Sequence, residues 1–303
     1  MTDGEVGSTN DAEVGTTTDA DGPPTNRRAI ERRLDALVRD NRVTIAITFP
    51  LVGVVLLIAA AEGAIPQRVA FNPLLLLGAV LVMRLPLIGG LLPLVDRRAL
   101  AGLGVLAAFT YGVELLGVYT GVLYGEFEYL IDLGPMLFGA VPLALPVFYF
   151  PILLNSYLLV TLLSKDRLGA AARLLAVLAV VVGMDLVLDP GAVALGFWGW
   201  ETPGTYYGVP ARNYVGWVLS GVVAVAVLSA SFDADGLAER LERCEYVLDD
   251  LISFGVLWGL VNLYFGNYVP VALAVALLAV LVRADRFDVA GLAASRGPRP
   301  ADD

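Results

Sequence analysis

The sequence predicts an all-α polytopic membrane bundle of about eight transmembrane helices, with both termini cytoplasmic. Three observations predict it. The 303 residues are 57% hydrophobic, with a mean hydropathy of +0.74, which is more apolar than an ordinary soluble domain. Runs near the twenty-residue length that crosses a bilayer recur along the chain. Arginines crowd into alternate connections between those runs, the asymmetry that fixes orientation.

Residues 1–26 are rich in Thr, Gly, Asp and Glu and have no apolar run, so an acidic disordered tail is expected rather than a signal peptide. Residues 27–290 read as a single integral-membrane domain, and 291–303 as a polar tail. Residues 27–42 carry six arginines among three acids and read as a short charged helix feeding span 1. The expected spans are 43–61, 69–92, 99–121, 135–163, 170–188, 213–231, 247–265 and 268–282. Span 2 is interrupted by Arg84 and Pro86, and a count of seven follows if span 2 or span 8 is re-entrant.

Arg97 and Arg98 lie in the 2–3 connection, Lys165 and Arg167 in the 4–5 connection, and Arg240 and Arg243 in the 6–7 connection. The other connections are nearly bare, with Arg68 in one and Arg212 in another. This places the cell membrane as the location and the 3–4 and 5–6 connections at the outer end.

Composition narrows the chemistry. Acids outnumber bases 30 to 20, and Lys165 is the only lysine, a balance suited to high salt. The chain has no histidine and one cysteine, Cys244. The commonest metal ligand and general base are missing, and no disulfide or thiolate cluster can form within the chain. No metal, cofactor or nucleic-acid partner is expected. The absence of lysine from the spans excludes a retinal Schiff base, and there is no phosphate-binding Gly-Lys-Ser/Thr motif. Asp185-x-x-x-Asp189 resembles the Mg-binding aspartates of membrane prenyltransferases, but a second Asp pair is missing.

The densest polar stretch runs from Asp185 to Trp217. Its apolar run is expected to stop at Asp189-Pro190-Gly191, before an aromatic loop. The 3–4 connection, from Tyr119 to Pro135, resembles it loosely: each has an acid near the outer end of a span, then Gly and aromatics. Glu114 and Asp185 fall inside spans, where a carboxylate is costly and faces the bundle interior. The structural alternative is a bond to a neighbouring helix or to Arg84. Asp185 and Asp189 are four apart and share a helix face. Read as lying in the last turns of a helix, they meet its negative end, desolvation and a like-charged neighbour. All three favour the neutral acid, which suits a proton donor.

Tyr111, Tyr124, Tyr129, Trp198, Trp200, Tyr206, Tyr207 and Trp217 are candidates to line a pocket for an extended apolar molecule and to stabilise a cation. A membrane-interface belt is the competing reading. Asn213 serves either as a helix cap or in the site. Arg212 either pairs with Glu201 or reaches toward the aspartates.

Taken together, Glu114-x-x-Gly117-x-x-Thr120-Gly121, Tyr124-Gly125-x-Phe127-x-Tyr129, Leu133-Gly134-Pro135, Asp185-x-x-x-Asp189-Pro190, Gly196-x-Trp198-x-Trp200 and Tyr206-Tyr207-Gly208-Val209-Pro210-x-x-Asn213-x-x-Gly216-Trp217 resemble the carotenoid hydratase family. The resemblance implies addition of water to the terminal C=C bonds of a long acyclic carotenoid. The expected partners are then that carotenoid, water, membrane lipid and other membrane enzymes of carotenoid synthesis. Protonation of such an alkene needs a carboxylic acid, aromatic faces near the tertiary cation, and a placed water. Asp185 or Asp189 is expected as the acid, and Glu114 as its catalytic partner. A non-catalytic carotenoid-binding protein and a transporter compete. A transport path needs polar residues along its full depth, and the inner halves of the spans read as apolar.

Overall fold

A computed structural model describes residues 26–165 and 167–286. The expected tails, 1–26 and 291–303, lie outside the described residues except for Asn26. The described chain is a helical membrane bundle. A charged helix, α1 (Asn26–Asp40), leads through a π-helical turn (Thr44–Thr48) into α2 (Phe49–Ala61). A four-residue helix, α3 (Gln67–Ala70), links it to α4 (Pro73–Leu91), and α5 (Arg97–Thr120) follows.

The next connection holds three short strands: β1 (Phe127–Tyr129), β2 (Met136–Leu137) and β3 (Val141–Pro142). Then come α6 (Leu145–Ser164), α7 (Ala170–Ala194), β4 (Trp198–Trp200) and α8 (Ala211–Ser231). The described residues end with α9 (Ala234–Arg243), α10 (Asp249–Tyr264) and α11 (Tyr268–Arg283).

Local chemistry sets many of these boundaries. Asn72 caps α4 by accepting from the Leu74 and Leu75 amides at 3.0 and 3.2 Å, and Pro73 follows as the first helical residue. Asp96 caps α5 through the Ala99 amide at 2.7 Å, and Gly121 ends α5 in the left-handed region, at φ +66°. Among the described residues, six helical segments are long and apolar enough to cross a membrane. They begin at Thr44, Pro73, Arg97, Leu145, Ala170 and Ala211. The two 16-residue helices, α10 and α11, rise only about 24 Å each, short of the ~30 Å hydrocarbon core. α6 is central, with 72% of its span buried, and α10 packs beside it with most of its residues buried.

Loop-to-loop bonds fix the alternating course. At one end Arg27 Nη2 donates to the Leu92 and Val95 carbonyls, both at 2.8 Å. Arg240 Nε donates to the Gly90 carbonyl at 2.8 Å, and Arg42 grips Asp249 at 2.6 and 2.9 Å. Arg42 also donates to the Arg286 carbonyl. The first and last described segments therefore meet at this arginine-rich end. At the far end Phe71 meets Phe197 edge-on, 5.7 Å between ring centres, and Asn267 Nδ2 donates to the Pro190 carbonyl at 3.3 Å.

Two expected boundaries are corrected. The stretch 135–144 is not the start of span 4. β2 and β3 pair there as a tight hairpin around Gly139, which sits at φ +73°, and the helix begins at Leu145. Nor does Asp189-Pro190-Gly191 end span 5, because α7 runs on to Ala194. Pro190 cannot donate to the Leu186 carbonyl, and such a residue normally kinks or breaks a helix. Here the Tyr206 hydroxyl takes that carbonyl at 3.1 Å, and Asn262 Nδ2 donates to the next one, Val187, at 2.7 Å. Gly191 lets α7 close on α10, since a Cβ there would stand 2.9 Å from the Trp258 ring.

Candidate active site

The continuation of α7 changes the setting of its aspartates. Asp189 lies five residues before the helix end and Asp185 nine, so the negative helix terminus, which acts within the last turn, does not reach Asp185. Burial and mutual proximity remain. Both carboxyls are buried on one face of α7. Asn213, on the first turn of α8, donates its single Nδ2 to both, at 2.9 Å to Asp185 and 2.5 Å to Asp189. Asn213 is therefore a bridge rather than a cap; Pro210 occupies the cap position of α8. Among the described residues, Asp185 Oδ1 has no hydrogen-bond partner.

Glu114 reaches the same place from α5. It is buried and accepts from the Tyr129 hydroxyl. Burial first, and next the Glu114 charge, holds the Tyr129 phenol well above its ordinary value, so Tyr129 stays a donor. Tyr129 is placed by an antiparallel pairing of β1 with β4, which sets Tyr129 opposite Trp198 and Phe127 opposite Trp200. The period-two alternation of strands puts these four rings on one side and Glu128 on the other, exposed side. The two loosely similar connections thus join as one aromatic lid. Trp200 Nε1 locks it by donating to the Tyr124 carbonyl at 2.9 Å.

Beneath the lid lies an apolar cavity of ≈ 330 Å³. Asp189, Glu114, Asn213, Tyr124, Tyr129, Trp198, Trp200 and Trp217 all line it. Asp185 does not and stands behind Asp189. The Tyr124 hydroxyl meets Tyr149 at 3.0 Å and Ser220 at 2.6 Å, and Trp217 stacks on Tyr149 with ring centres 4.6 Å apart. Gly216 gives Tyr124 its place, because a Cβ there would come within 2.5 Å of the ring.

Three expected pocket residues lie elsewhere. Tyr111 bonds the Leu143 carbonyl at 2.5 Å, Tyr206 bonds α7 as described, and the Tyr207 hydroxyl accepts from the Val269 amide at 3.4 Å. None of the three lines the cavity; each ties a loop or strand end to its neighbours. Arg212 donates to the Gly121 carbonyl at 3.3 Å and bonds neither Glu201 nor the aspartates.

A second polar group on the cavity wall was missed. Arg84 Nη1 donates to Asp250 Oδ1 at 2.5 Å, and Asn155 Nδ2 donates to Asp250 Oδ2 at 2.5 Å. Arg84 therefore pairs with Asp250 and not with Glu114. The expectation that the inner halves of the spans are apolar fails at these three residues. The available signal was Asp249-Asp250, two acids at the head of an apolar run.

A family profile for carotenoid biosynthesis proteins matches residues 71–281. A bisanhydrobacterioruberin hydratase of Haloarcula japonica is 54% identical over 266 residues, which covers 88% of this chain and 90% of that protein. Its source fits the acidic, lysine-poor composition. No solved structure matches the chain.

Proposed function

The chain belongs to the family of carotenoid biosynthesis proteins, and from that membership we propose that it is a carotenoid hydratase of the cell membrane. Its substrate is a long acyclic carotenoid of the kind named for the Haloarcula relative, bisanhydrobacterioruberin, and its product is the tertiary alcohol, bacterioruberin. One observation carries the reading: two buried carboxyls are bridged by Asn213, and one of them, Asp189, borders an aromatic, apolar cavity that also holds Glu114.

Two buried aspartates with no cation between them cannot both ionise, so the pair holds a proton. Asp189, the one that borders the cavity, gives it to the less substituted carbon of the terminal alkene. The C=C electron pair forms the new C–H bond and leaves a tertiary cation. The faces of Tyr129, Trp198 and Trp200 stabilise that charge. Water adds to the cation, and Glu114, oriented by Tyr129, accepts the proton that the water loses. Return of this proton to the aspartate pair resets the site. The sum is one water added across one double bond.

The arginine-rich end faces the cytoplasm, so the site, at the opposite end, serves the outer leaflet. The substrate is at least comparable in length to the ~30 Å hydrocarbon core, so one end reacts at a time. Membrane lipid holds the rest of the chain, and other membrane enzymes of carotenoid synthesis supply it. The test is expression of the chain with bisanhydrobacterioruberin. A gain of one water and then two is expected by mass. Carotenoid that is bound but never gains water would make this a binding or assembly protein. Only doubly hydrated product at the earliest times would refute one-ended action.

A further inference from the structure

The cavity is too small for its proposed substrate, which raises the question of where the rest of the molecule goes. A volume of ≈ 330 Å³ sits at the low end of pockets that hold drug-sized ligands. It accommodates the end group of a long carotenoid, not the polyene. The polyene must leave through an opening, and an opening into water would strand a hydrocarbon.

The cavity wall breaks out to the side. Leu56 of α2, Val69 of α3 and Leu75 of α4 line the cavity, yet they are 50%, 51% and 59% exposed. The remaining lining residues of this wall, such as Gly53 and Leu57 on α2 and Leu76 and Ala79 on α4, recur at helical spacing on one stripe of each helix. α2 packs chiefly on α10 rather than on α4, so the two helices flank a gap. The gap lies at the depth of the acids. Leu56 is five residues from the far end of α2, Asp189 five from the end of α7 and Glu114 six from the end of α5.

Resting on the hydratase reading, we infer that the carotenoid enters end-on from the lipid through a side doorway between α2 and α4. Leu56, Val69 and Leu75 frame it, and the polyene trails into the outer leaflet while its end group meets Asp189. These residues, remote from the acids in sequence, govern access and the girth of the end group admitted.

The test uses Leu56→Trp and Leu75→Trp in the full chain, reconstituted in vesicles with bisanhydrobacterioruberin. Val55→Trp and Leu74→Trp are the controls. These neighbours are 66% and 76% exposed and do not line the cavity, so all four changes lie on the bundle surface. Two quantities are read: waters added by mass, and polyene retained per chain after washing. The doorway variants should lose at least about tenfold in both, as filling a one-side-chain passage implies, and the controls should match wild type. Doorway variants that behave like the controls overturn the inference. If wild type retains the polyene without hydrating it, the hydratase reading falls and retention alone judges the doorway. If wild type does neither, both fall. Leu56→Ala, which widens the gap, should keep or raise retention; a loss would also count against the doorway.

Discussion

Two buried polar clusters border one cavity, and they differ in charge balance. Asp250 accepts from Arg84 and Asn155, so one negative charge meets one positive charge across α4, α6 and α10. Asp185 and Asp189 share Asn213 as donor, Glu114 has Tyr129, and among the described residues no arginine or lysine bonds to any of the three. A buried ion pair holds helices together, and losing one partner strands the other. A buried carboxyl without a counter-charge has a different remedy: it keeps its proton. On the proposed reading the balanced cluster is architecture, while in the unbalanced one the aspartate pair stores the proton and Glu114 takes one up. Charge balance separates the two where burial alone does not.

That contrast can be broken by substitution. The largest expected effect is on turnover. Asp189→Asn should lower hydration by roughly 10²–10⁴, the usual range for losing a general acid. Asp185→Asn should cost less, because Asp185 stands behind the cavity wall. Equal losses, read as product per chain over time, would remove the distinction between them.

The next effect is on stability. Asp250→Asn should destabilise by about 3–5 kcal/mol, the cost of leaving Arg84 buried without its charge partner. Leu at both Arg84 and Asp250 should recover most of that loss in a double-mutant cycle. A single variant that unfolds at the wild-type denaturant midpoint would deny the cluster its structural part.

Smaller effects sharpen the site. Tyr129→Phe removes the donor to Glu114 while keeping the ring. It should cost about 1.5–3 kcal/mol of transition-state stabilisation, the worth of a hydrogen bond to a charged group. The fall should be in kcat, with KM held by the ring. Gly216→Ala should cost less than the acid variants, because Tyr124 must shift by about an ångström but can still bond Ser220. A KM rise without loss of kcat is the expected signature.

Much of this arrangement was legible in the sequence because hydropathy is a long-range signal. The ends of the continuous segment Thr44–Ala61 and of α5, α8 and α11 fall within about two residues of the expected spans, the usual uncertainty of helix ends. The failures share a cause: they depend on partners distant in sequence. Pro190-Gly191 reads as a stop until Tyr206 and Asn262 satisfy the carbonyls around it. The acids Glu114, Asp185 and Asp189 were legible because a carboxylate inside an apolar run is conspicuous. Asp250 was not, because an acid at the head of a helix looks like ordinary dipole stabilisation. Aromatics divided by geometry: strand pairing turns Tyr129, Trp198 and Trp200 toward the cavity, while Tyr111, Tyr206 and Tyr207 bind backbone.

The central claim is that the unbalanced acids serve chemistry and burden the fold. It is tested most directly by measuring turnover and melting temperature together for Asp189→Asn, with Asp250→Asn alongside. The account predicts that Asp189→Asn loses turnover while its melting temperature holds or rises, because an uncharged amide replaces a buried carboxyl that has no counter-charge. A wild-type rate, or a fall in melting temperature as large as that of Asp250→Asn, would contradict it.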